Sequence, residues 1–250
     1  YTWATRNNRQ SFTINAADIS YIRTPYIQDE FLGILENLQT DGNNLIWSFL
    51  PSLISSFSGQ TLINFNRYGD FSMRKASLLR LFAESGGTTL NFTNVRRNDS
   101  PDINYANFQW LKGQIDFRRY YPISKKQTLA YRLNFGMARP YGVSVGILPY
   151  EKYFFAGGGT SIRAWQARRL GPGSSTPLTG TGGIYDYTNE QPAEMILERM
   201  LEYRRKLFSY FDMAVFLDAG NSWMIGRDEA RPGADFRYDR FYKEIAVGTG

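Results

Sequence analysis

Between residues 128 and 139 the side chains alternate without interruption. Leu129, Tyr131, Leu133, Phe135 and Met137 fall on one parity, and Thr128, Ala130, Arg132, Asn134 and Gly136 on the other. Period two is the signature of an extended strand, whose successive side chains point to opposite faces. Residues 107–121 repeat it, with Lys112, Gln114, Asp116 and Arg118 against Leu111, Ile115 and Phe117. The same texture predicts strands at 195–207 and 211–223, and weaker signals predict others at 53–67, 72–85 and 241–250. Residues 11–23 have the β-branched and aromatic content of a strand but imperfect alternation. In 24–50 the period changes: Ile27, Phe31, Leu32, Ile34 and Leu35 lie near helical spacing among acidic residues. That predicts a short amphipathic helix inside a long loop, its apolar face packed on the loop's own surface.

Alternation of this kind suits a soluble β-sandwich as well as a barrel in lipid. The connections favour the barrel. They run long (24–50), short (68–71), long (86–106), tight (122–127), very long (140–195), tight (208–210) and long (224–240). Outer-membrane barrels have short turns at one end and long loops at the other. The expected fold is therefore all-β: a transmembrane antiparallel β-barrel of about eight strands, with 1–250 as one barrel domain. Tyr120, Tyr121, Tyr141, Tyr150, Tyr153, Tyr210, Trp223 and Tyr242 fall at strand ends, where an aromatic girdle belongs.

Composition agrees. Aromatic residues make up 16% of the chain, yet mean hydropathy is −0.41, as expected when apolar side chains are hidden in alternation rather than in runs. The chain has no histidine and no cysteine. The first absence excludes histidine-based acid–base catalysis, the Ser-His triad and the usual metal-ligand sets. The second fits an oxidising periplasm. A net charge of +6 points to anionic surfaces such as outer-membrane lipid and lipopolysaccharide. The sequence opens at Tyr1 without a basic and apolar leader, and is read as mature or as part of a longer chain.

The chain is organised around Phe154-Phe155-Ala156-Gly157-Gly158-Gly159-Thr160-Ser161-Ile162-Arg163-Ala164-Trp165. Glycines free the backbone to turn tightly, and one arginine follows between apolar neighbours. A phosphate-binding loop would need a Gly-Lys-Ser/Thr ending between a strand and a helix, which is lacking here. From Gly157-Gly158 through Arg163-Ala164-Trp165-Gln166 to Gly171-Pro172, the run resembles the sixth extracellular loop of the BamA/TamA surface-antigen family of outer-membrane barrels. Met200-Leu201-Glu202-Tyr203-Arg204 resembles that family's next strand. Val215-Phe216-Leu217-Asp218-Ala219-Gly220-Asn221-Ser222-Trp223 resembles the strand after it. Ala164 departs from the family, which usually has glycine there.

The resemblance implies that the loop enters the lumen and that Arg163 meets Glu202 and Asp218 on the inner wall, beside Phe216 and Gly220. Parity allows this, since Glu198, Glu202, Arg204, Phe216, Asp218 and Gly220 share the face opposite Leu197, Leu201, Val215 and Leu217. It also implies an intact barrel of about sixteen strands, of which these would be about the seventh to the fourteenth, leaving out the lateral gate. The implied function is non-enzymatic insertion of nascent outer-membrane proteins in the bacterial outer membrane, by strand templating and local bilayer disturbance. Periplasmic or lipoprotein accessory subunits are possible partners, and no cofactor, metal, catalytic residue or nucleic acid is implied. A two-partner secretion translocator, a passive porin and the barrel of a patatin-like phospholipase remain alternatives. No Gly-x-Ser-x-Gly elbow supports the last.

Overall fold

The computed structural model describes residues 1–5, 9–22, 24, 26–40, 44–49, 52–65, 75–87, 108–142, 147–176, 190–208 and 210–250. The strands are β1 (Thr2–Ala4), β2 (Gln10–Ile22), β3 (Ser52–Asn64), β4 (Ala76–Gly86), β5 (Trp110–Ser124), β6 (Gln127–Pro140), β7 (Met195–Lys206), β8 (Asp212–Trp223) and β9 (Ala246–Thr249). They form one antiparallel sheet whose spatial order is the chain order. Among the described residues β1 and β9 do not pair with each other, so the sheet is a partial barrel wall. The expected turn at 68–71 and most of the loop at 86–106 lie outside the described residues.

Pairing registers carry the alternation from strand to strand. Asp116, Asn134, Glu198 and Gly220 occupy one inward row; Arg118, Arg132, Met200, Asp218 and Gly248 the next; and Tyr120, Ala130, Glu202 and Phe216 the one below. Leu133, Val215 and Leu217 point to lipid, with 40%, 50% and 45% of their surface exposed, while Asn134 and Asp218 are buried. Leu129 and Phe135 share the outward parity. Between Asn15 and Asp18 the register of β2 shifts by one residue. This bulge accounts for the imperfect alternation of 11–23: Phe12 is exposed before it and Ile19 and Tyr21 after it, on opposite parities but the same face.

The helix expected in 24–50 is α1 (Asp29–Thr40), with Asp29 and Glu30 in its first turn, where negative charge complements the helix dipole. Leu35 is fully buried, and Phe31 meets Phe49 edge-on at 5.3 Å, so its apolar face packs within its own loop. Three expectations need correction. The strand at 241–250 shrinks to β9, because Phe241–Lys243 forms a 3-10 turn. β1 was too short to leave a pattern. The girdle loses several members: Tyr153 and Trp223 are buried, with the Tyr153 hydroxyl accepting from Leu148 N–H at 3.2 Å and the Trp223 indole donating to Glu244 at 2.7 Å. Tyr120 belongs to an inward row. Tyr121, Tyr210 and Tyr242 remain exposed.

The apolar core lies inside the sheet toward the long-loop end. Ile54, Trp110, Leu148, Phe154, Ile162, Leu170, Ile196 and Met224 form one cluster, contributed by the wall, the long β6–β7 connection and the start of the β8–β9 connection.

Candidate functional site

The long connection enters the concave face and is fastened to it at successive points. Lys152 Nζ donates to Glu84 of β4 at 2.8 Å, and Lys112 Nζ of β5 donates to the Lys152 carbonyl at 2.8 Å. Within the connection, Phe154 and Ala193 exchange backbone hydrogen bonds at 2.8 and 2.9 Å and draw its two ends together just before β7. Next comes the turn itself. Gly157 and Gly158 have φ of 97° and 99°, and a Cβ on Gly157 would strike the Gln166 carbonyl, so both the backbone conformation and the close approach require glycine. Gly159 has neither constraint. Ser161 Oγ receives Gly157 N–H at 2.8 Å and donates to the buried Glu198 carboxylate. Arg132 Nη1 holds the Thr160 carbonyl at 2.8 Å.

Arg163 then projects between two rows of the wall. Its backbone N–H and Nε both reach Asp218 Oδ2, at 3.1 and 2.7 Å, while Nη2 reaches Oδ1 at 2.8 Å. Nη1 donates to Glu202. The guanidinium carbon sits 3.7 Å from the centre of the Phe216 ring, where a cation is attracted to the π face. Asp218 is fully buried, and the Arg163 side chain is 23% exposed. A planar five-donor fork suits this arrangement, since it satisfies two carboxylates and a ring face together. The hydrogen bonds that Arg163 donates to Asp218, offset in part by burial and joined by the one it donates to Glu202, raise the Arg163 pKa above its ordinary value. It is a fixed positive charge and cannot serve as a proton donor.

The neighbours of Arg163 are seated by missing side chains. A Cβ on Gly248 would collide with Ala164 Cβ, so the methyl group of Ala164 occupies space that β9 leaves open. Gly220 likewise makes room for Ile162, whose Cδ1 would lie 3.1 Å from an added Cβ. Ala164 keeps a negative φ, as Arg168, at 62°, is the positive-φ non-glycine residue among those described. Trp165 is 40% exposed, and its carbonyl closes the turn by accepting from Gly158 N–H at 3.0 Å. Farther on, Leu170 returns to the wall where its carbonyl receives the Ser222 hydroxyl at 3.2 Å.

Residues 89–250 match the Omp85 superfamily domain. The chain belongs to the Omp85 superfamily. Omp85 proteins form a family that inserts or translocates proteins at the outer membrane. A solved structure similar to this chain is that of BamA from Haemophilus ducreyi lacking POTRA domains 1–3. It has a TM-score of 0.38 and 11% identity, over 90% of this chain and 49% of that one. The chain thus spans about half the length of that protein. No curated protein matches it.

In this Omp85 wall the structure brings Gly157, Gly158, Arg163, Ala164, Glu202, Phe216, Asp218 and Gly220 into one locus, and leaves Trp165 at its edge. Sequence reasoning missed the supporting contacts. Asp116 gathers two arginines, Arg118 Nη2 at 2.8 Å and Arg132 Nη2 at 2.9 Å, and Asn134 Nδ2 bridges to Glu198 at 2.7 Å. Their inward parity was visible in the alternation; which neighbour on the wall each would bind was not.

Proposed function

We propose that this chain is barrel wall of an outer-membrane protein assembly factor of the BamA/TamA type, resident in the bacterial outer membrane and acting without chemical catalysis on nascent outer-membrane β-barrel proteins. The observation that carries the reading is the engagement of Arg163 with Asp218 and Glu202 inside an Omp85 wall. A loop latched there braces a curved sheet from within and fills the long-loop end of the lumen with apolar side chains. Such a wall holds its curvature while strand edges elsewhere in the barrel template an incoming strand by β-augmentation. Accessory subunits at the periplasmic side are part of this reading.

The test is reconstitution of the full protein in proteoliposomes with an unfolded outer-membrane protein as client. Accelerated acquisition of protease-resistant, membrane-inserted client is expected, with most of the acceleration lost in Arg163→Ala. Client recovered inside the vesicle lumen, instead of in the bilayer, would indicate a secretion translocator and overturn the assembly reading.

A further inference from the structure

We propose that the short-turn rim shared by β5–β6 and β7–β8 is a binding site for anionic phospholipid headgroups. Lys125 and Lys126 form the turn after Ser124, and Lys206 N–H donates to the Lys126 carbonyl at 2.9 Å. Arg205 pairs in register with Gln127. These residues and Leu207 line a rim cavity of about 440 Å³. All four cationic side chains are exposed, and none has an ion-pair partner among the described residues. The acid facing them in register is Asp212, opposite Lys206, which leaves a clear excess of positive charge.

Several arginines elsewhere in the molecule are treated differently. Arg118 and Arg132 share Asp116, Arg163 has Asp218 and Glu202, and Arg231 has Asp228. The rim is thus a place where cations gather without matching carboxylates. A second observation indicates what they face. The outward apolar surface ends at this level with Ile123, Leu207, Phe208, Tyr210 and Phe211, all exposed. Aromatic and apolar side chains beside bare cations mark the plane between acyl chains and headgroups, and basic clusters at that plane attract anionic lipid. A lipid with a phosphate-bearing, net negative headgroup satisfies both halves of the rim, whereas a soluble anion would use only the cations.

The site requires that the barrel span a bilayer but not that it insert clients, so the two readings fail separately. The full protein, purified in neutral detergent, is given equal amounts of phosphatidylglycerol and phosphatidylcholine, and retained lipid is read by native mass spectrometry. At least a tenfold preference for phosphatidylglycerol is expected. It should be abolished in the quadruple variant Lys125→Gln, Lys126→Gln, Arg205→Gln, Lys206→Gln, since each basic residue contributes roughly fivefold at an anionic surface. Folding of that variant is checked by heat-modifiable gel mobility, and the double variant Lys125→Gln, Lys126→Gln, confined to the turn, should show a partial loss. Equal retention of the two lipids, or an undiminished preference in the quadruple variant, would overturn the proposal. So would displacement of the lipid by millimolar inorganic phosphate, which would reveal a soluble-anion site, or competition by an acidic protein domain that leaves lipid retention unselective.

Discussion

The wall built from β5–β8 and the wall built from β2–β3 have the same pairing and the same lipid-facing apolar surface, yet they present opposite chemistry to the lumen. Along β5–β8 the inward positions carry Asp116, Arg132, Glu198, Glu202 and Asp218, each engaged by a neighbour or by the inserted loop. Along β3 they carry buried Ser52, Ser56 and Ser58, and the contact to β2 is the modest Asn15–Ser58 hydrogen bond at 3.2 Å. One wall specifies a single docked position for the loop by charge. The other supplies small side chains and space for the core.

Breaking the charged wall should therefore cost most. Arg163→Ala leaves Asp218 buried without its partner, an arrangement that costs about 3–5 kcal/mol, and the urea midpoint of the folded barrel should fall accordingly. Arg163→Lys retains the charge but loses the fork and the ring contact, and an intermediate loss of about 1–3 kcal/mol is expected in the same titration.

Glycines sharpen the comparison through space. Gly248→Val drives a side chain into Ala164, whereas Gly59 on β3 has nothing within 4 Å of an added Cβ. Overpacking of this kind costs about 1–3 kcal/mol. Gly248→Val should lower the thermal midpoint of heat-modifiable mobility, and Gly59→Val should leave it nearly unchanged.

The outward face provides a smaller effect of opposite sign. Arg199 is exposed on the lipid side, paired in register with Leu133 and Ala219. A charge on that face costs about 2–4 kcal/mol at the midplane and less toward the interfaces. Arg199→Leu should raise stability by about 1–2 kcal/mol in lipid vesicles, while Ser58→Ala on the neutral wall should change it by about 1 kcal/mol or less.

Strand positions could be read because lipid on one side and a wet lumen on the other impose period two on every long strand. Where the sequence was ambiguous, backbone irregularity was the cause. The Asn15–Asp18 bulge moved the apolar parity of β2 midway, and the 3-10 turn at Phe241–Lys243 interrupted what looked like continuous strand. The Arg163 contact was reachable only through the family motifs, since alternation places Glu202 and Asp218 on the inner face but does not say that a loop more than thirty residues distant in sequence will arrive there. Contacts such as Ser161 with Glu198 and Lys152 with Glu84 depend on how far the loop descends into the lumen. Nor does periodicity show that Tyr153 and Trp223 are covered by loops instead of facing lipid.

Loop placement is most directly tested by crosslinking, and the absence of native cysteine makes the background clean. Ala164 abuts Gly248 on the inner face, whereas Val247, one residue away, is 59% exposed on the outer face. The pair Ala164→Cys with Gly248→Cys, whose β-carbons are adjacent and need only move apart to reach disulfide spacing, should form a disulfide under mild oxidation in the membrane, visible as a mobility shift of the denatured chain that reductant reverses. The pair Ala164→Cys with Val247→Cys should not. Failure of the first pair to crosslink, or equal yields from the two, would contradict a loop latched inside the lumen.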